Sequence, residues 1–182
     1  KEVNPGQSVG ADCTGVGDQV MRKLKSGVGN SGFGKLSLAH GTLYTNCSAY
    51  GDTSLEFNNA DSNNAFGYSA GIRLKYGNNN CLFGTFAGGT AIPDRSYYSD
   101  EAYMASYNEC TAFGNSTMQV NKVGSRNAIF GHMAGHIFEG EDNCFFGTYS
   151  FRSIGVANRN TGVGNNTGLR LTTGNNNVFL GY

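Results

Sequence analysis

A glycine preceded by an apolar residue, with asparagine or cysteine four positions before it, recurs along this chain of 182 residues. Ten sites fit: Gly17, Gly34, Gly51, Gly67, Gly84, Gly114, Gly131, Gly147, Gly164 and Gly181. The steps between them are 17, 17, 16, 17, 30, 17, 16, 17 and 17 residues. The single long step is one repeat plus an insertion, 30 − 17 = 13 residues. Residues 63–79 and 160–176 match at eight of 17 positions, which supports the register. A 17-residue period is too short for two-helix repeats, which need about 33 or more. Glycine every few positions also opposes helix, at about 1 kcal/mol each against alanine.

What remains is an all-β chain, a parallel β-solenoid or β-roll of about ten coils. Its tight turns are expected to use glycine and asparagine, which tolerate a left-handed backbone. Residues 1–11 read as a lead-in and 12–182 as the solenoid, with the insertion at about 88–109. The column four before the anchor holds Asn63, Asn80, Asn127, Asn143, Asn160 and Asn177, with Asn30 and three cysteines at the other levels. Stacked asparagines can hydrogen-bond from coil to coil and hold a bend. Apolar residues seven after the anchor (Leu24, Leu74, Phe138, Ile154, Leu171) are expected in the core.

The three residues before each anchor form ten short strands, and none of these 30 positions is charged. A strand turns alternate residues to opposite faces. If both faces avoid charge, both are expected to be buried, one inside the coil and one against another copy. Phe66, Phe83, Phe113, Phe130 and Phe146, each one before an anchor, are therefore candidates for core or trimer interface. Charges gather after the anchors, including Asp18, Arg22, Lys35, Asp52, Glu56 and Arg73, and mark the expected outer side.

Composition narrows function. Lys plus Arg number 13 and Asp plus Glu 13, so the net charge is zero and no basic surface for nucleic acid is expected. No apolar run approaches the roughly 18 residues of a membrane helix. The 12% of aromatic residues argue against disorder.

Asn63–Gly71 and Asn127–Gly135 share the pattern Asn-x-x-aromatic-Gly followed by x-x-Ala-Gly. This pattern resembles the shaft repeats of bacteriophage tail fibres, and is similar to the β-roll heads of trimeric autotransporter adhesins. The resemblance runs from about Asp12 to Tyr182. It implies a homotrimer with apolar faces on the three-fold axis, and a non-enzymatic role in structure and host attachment. It also implies a location in a virion tail fibre or another extracellular surface fibre.

Chemical motifs are weaker. Cys13, Cys47, Cys81, Cys110 and Cys144 lie 34, 34, 29 and 34 residues apart. Two coils separate most pairs, beyond the roughly 7 Å limit of a disulfide, so buried free thiols are expected. Gly29–Leu36 nearly matches a phosphate-binding loop, but Leu36 stands where the metal-binding Ser or Thr belongs and a helix must follow. His132 and His136 lack a metalloprotease motif. No cofactor or metal is expected.

The insertion holds Arg95, Tyr97, Tyr98, Tyr103 and Tyr107, the candidate contacts to a glycan or protein receptor on a host. Loops inserted into repeats often carry binding, and tyrosine offers contact area at low entropic cost. The alternatives are a short helix over 99–107 that buttresses the rod, or a polysaccharide-degrading spike using Asp94, Asp100, Glu101 or Glu109.

Overall fold

The computed structural model describes residues 12–89, 104–120, 123–169 and 171–182. The chain is a parallel β-solenoid without helix among these residues. The three residues before each anchor form ten strands stacked in one parallel sheet. These are β1 (Thr14–Val16), β2 (Ser31–Phe33), β3 (Ser48–Tyr50), β4 (Asn64–Phe66), β6 (Cys81–Phe83), β8 (Thr111–Phe113), β10 (Ala128–Phe130), β12 (Cys144–Phe146), β14 (Thr161–Val163) and β16 (Val178–Leu180). Every strand pairs with the next at the expected register, as in Ala65↔Leu82 and Leu82↔Ala112. A second parallel sheet holds β5 (Leu74–Tyr76), β7 (Ala105–Asn108), β9 (Val123–Ser125), β11 (Ile137–Glu141), β13 (Ser153–Asn158) and β15 (Gly174–Asn175). The first coils contribute to that side only through the bridge Ser26↔Leu43.

The anchor glycines have two reasons to be glycine. Their φ angles lie at +120° to +139°, where a side chain is strained. The Cα atoms of the first nine also face the backbone of the next coil: a Cβ on Gly84 would lie 2.4 Å from the Gly114 carbonyl oxygen. The coils therefore touch backbone to backbone along this column.

The turns use more residue types than glycine and asparagine. The residue two after each of the first nine anchors is left-handed, including Leu36, Phe86, Met133 and Tyr149. So is the residue four after, including Met21, Leu55 and Phe151. Each such non-glycine residue costs about 1–2 kcal/mol. The geometry lets both sets donate backbone hydrogen bonds, in opposite directions. Phe86 N–H donates to Tyr68 O of the preceding coil at 3.0 Å, and Leu55 N–H to Ala70 O of the following coil at 2.9 Å. A third left-handed position, five before the anchor, includes Asn46, Asn79, Glu109 and Arg126.

The core is one column of buried side chains along the rod axis. The middle strand residues Ala49, Ala65, Leu82, Ala112, Ile129 and Phe145 point into it, facing Leu38, Leu55, Met118 and Phe151 from the turns. Large and small residues alternate to fill it. Phe145 stacks on Phe151 at 4.2 Å, and a Cβ on Gly162 would fall 2.3 Å from the Phe151 ring.

Candidate interaction face

The outer face of the ten-stranded sheet carries the residues one and three before each anchor. Phe66, Phe83, Phe113, Phe130 and Phe146 lie here and not in the core, because the middle residue of each three-residue strand takes the inward position. With Phe33 and Tyr50 they form a seven-ring stack. Successive centroids are 4.7, 4.8, 4.5, 4.5, 5.7 and 4.6 Å apart, with ring planes within 14°. Strand spacing of about 4.8 Å sets this distance, because a parallel in-register sheet places equivalent side chains directly over one another. Exposed Val16, Val163 and Leu180 extend the column at its ends. The stacked rings cover one another's faces and turn their edges outward.

An asparagine ladder holds the corner beside this face. Asn80 Nδ2 donates to Asn63 Oδ1 (2.9 Å) and to Tyr107 O (2.8 Å), while Asn80 Oδ1 accepts from Cys110 N–H (2.9 Å). Asn127, Asn143, Asn160 and Asn177 repeat the pattern at 2.9–3.2 Å. Asn63, Asn80, Asn127, Asn143 and Asn160 are buried, and Asn177 is half-buried. A second ladder, six before the anchor, escaped the sequence reading. There Asp61, Asn78, Asn108, Asn158 and Asn175 each accept a backbone N–H from the preceding coil. Its signal was the doubling of asparagine, as in Asn78-Asn79-Asn80.

The five cysteines are free, as their spacing predicts. Cys47 and Cys110 are buried, and burial pushes the Cys47 thiol up to about 11 and raises that of Cys110. Cys13, Cys81 and Cys144 depart from the expected burial, and Cys13 is half-buried in the asparagine column. Cys81 and Cys144 sit half-exposed, three before their anchors, on the same outer face as the rings.

Two charges placed on the outer side are instead buried: Glu56 and Arg73. Glu56 Oε1 lies 2.9 Å from His40 Nδ1, and Arg22 Nη2 lies 2.7 Å from His40 Nε2. His136 pairs with Gln119 at 3.0 Å, and burial lowers its pKa. Among the described residues no cluster of His, Cys, Asp or Glu could hold a metal ion. The stretch 29–36 forms β2 and the turn after it, not the loop before a helix that phosphate binding needs.

Arg95, Tyr97, Tyr98 and Tyr103, together with Asp94, Asp100 and Glu101, lie outside the described residues. Tyr107 is described, and it is not a receptor contact. It lies on β7, fully buried, with its hydroxyl donating to Gly88 O. Desolvation pushes its pKa well up. The expected helix over 99–107 is replaced, over 105–108, by a strand. The solenoid resumes by Ala105, and Glu109 is an exposed turn residue back in register.

Tyr44 explains Tyr107. Tyr44 stands ten after Gly34 and donates to Leu38 O, four after that anchor, at 2.8 Å. Tyr107 stands 107 − 84 = 23 after Gly84, which is ten plus the 13 inserted residues, and donates to Gly88 O, again four after the anchor. The same tyrosine clasp closes a coil with and without the insertion. The described residues on the two sides of the insertion thus keep the path of an ordinary coil.

Comparison with protein-family models, with curated proteins and with solved structures finds no match for this chain.

Proposed function

We propose that this chain is a non-enzymatic, rod-forming and host-attachment segment of a surface fibre, of phage tail-fibre type, assembled as a homotrimer through the outer face of its ten-stranded sheet. One observation carries the reading: the uncharged, ring-stacked column that runs the length of that sheet. Tyr50, Phe113 and Phe146 are 38%, 42% and 41% exposed. At roughly 200 Å² per aromatic side chain, each leaves about 80 Å² open. The whole column leaves on the order of 700 Å² of apolar surface. That exceeds the largest patch of an ordinary monomer and approaches one partner's share of a standard interface.

The ring edges also favour packing against a protein over binding a sugar, which docks on the flat face of an aromatic ring. In this reading the solenoid supplies stiffness, since one sheet ties all ten levels together and a second sheet and two side-chain ladders reinforce most of them. The insertion, with Arg95, Tyr97, Tyr98 and Tyr103, supplies the receptor contact.

Light scattering at low micromolar concentration tests the assembly. The expected mass is about 58 kDa, three times 19.3 kDa. Phe66→Asp with Phe130→Asp, three strands apart, is expected to yield a folded 19.3 kDa monomer, because like charges cannot be buried unpaired at such an interface. A wild-type protein that stays at monomer mass overturns the reading. Binding to host cells that survives alanine at Arg95, Tyr97, Tyr98 and Tyr103 together overturns the role of the insertion.

A further inference from the structure

The column three before the anchor shares the outer face with the rings and runs from Thr14 to Val178. Its polar members are hydroxyls and one amide, Asn64, and it carries no formal charge. Each of these polar groups is both donor and acceptor, so each can satisfy an identical group that meets it. Other levels of the column are apolar, as at Ala128 and Val178.

Resting on the self-association proposed above, we propose that the copies pack parallel and in register across this face, so that Asn64 meets Asn64, Cys81 meets Cys81 and Cys144 meets Cys144. Parallel packing without offset matches polar with polar and apolar with apolar at every level. Centred antiparallel packing opposes the fourth strand with the seventh and the first with the tenth. That sets the Asn64 amide against Ala128 and the Thr14 hydroxyl against Val178, leaving buried polar groups unpaired. A parallel arrangement offset by one strand rises at each step round the axis. It builds an open helix instead of a closed ring.

Cys81 and Cys144 report the arrangement because they are three strands apart, on β6 and β12. Only parallel, in-register packing brings both into contact with their own copies. An antiparallel pair that joins Cys81 to Cys81 sets Cys144 against Ser31, and one that joins Cys144 to Cys81 joins neither to itself.

The test uses the wild-type protein. Solution mass is measured first, then a short bis-maleimide is added, each thiol adding across one maleimide double bond, and the links are located by peptide mapping. The expected result is the trimer mass with both Cys81–Cys81 and Cys144–Cys144 links, in covalent dimers and, where the two links join different pairs of chains, in covalent trimers. Trimer mass with a Cys81–Cys144 link, with one homotypic link alone, or with no link between these thiols overturns the arrangement and leaves self-association standing. Monomer mass overturns self-association itself, and this arrangement with it.

Discussion

Replacing Gly84 by alanine tests the claim that coils stack backbone on backbone. The new Cβ would sit 2.4 Å from Gly114 O and 2.7 Å from Gly114 C. Carbon–oxygen contacts normally begin near 3.3 Å, so the coils must part by about 1 Å. The bonds Gly114 N–H to Phe83 O (2.8 Å) and Ser116 N–H to Thr85 O (2.9 Å) cross the same gap on either side of Gly84 and cannot survive such a stretch. Two lost hydrogen bonds at about 1 kcal/mol each, added to backbone strain of about 1–3 kcal/mol at φ +129°, give about 3–5 kcal/mol. Gly181→Ala is the control, because it has a similar φ of +121° but no atom within 4 Å of the new Cβ. It is expected to cost about 1–3 kcal/mol, from strain alone. Guanidinium denaturation followed by far-ultraviolet circular dichroism, at one fixed protein concentration, compares the two. Equal losses, or a loss below about 0.5 kcal/mol at Gly84, would refute the stacking argument.

Asn80→Ala removes partners from Tyr107 O and Cys110 N–H in a buried corner, and is expected to cost about 3–4 kcal/mol in the same assay, against about 1 kcal/mol for Asn177→Ala at the half-exposed last level. Tyr107→Phe loses only the clasp to Gly88 O, an expected 1–2 kcal/mol, and leaves any receptor binding by the insertion unchanged in a cell-binding assay. Stability is also expected to fall in alkali. Cys47 and Cys110 ionise near 9 when unfolded but only at higher pH when folded, and Tyr44 and Tyr107 likewise above 10, so the unfolded chain binds fewer protons there. Denaturation midpoints measured from pH 8 to 11 should therefore decline from about 9 and more steeply beyond 10, by about 1.4 kcal/mol per pH unit for each group. A flat profile would contradict the burial of these groups.

Much of the fold was legible because a solenoid writes its geometry into a period. The ten triplets before the anchors became the ten strands, and the asparagine column became a hydrogen-bonded ladder. The reading failed where it relied on residue type alone. Tyr107 looked like an exposed binding residue inside an insertion, yet it repeats the position of Tyr44. That equivalence emerges only once 13 residues are subtracted from the spacing. Glu56 and Arg73 followed an anchor and were assigned outward. The chain bends there through alternating left-handed residues, so neighbouring side chains do not follow one face.

The sequence by itself determined the repeat, the parallel register and the absence of charge from the strands, because each recurs at a fixed spacing and stacking aligns whatever recurs. Only the tertiary structure decided which strand residue points inward. A three-residue strand with apolar or small residues on both faces reads the same either way, and the choice falls to the width of the coil. The interior is narrow enough for Ala49, Ala65 and Leu82 to fill, and the larger rings of Phe66, Phe83 and their neighbours are left to stack outside, edges outward, on the face proposed to meet other copies.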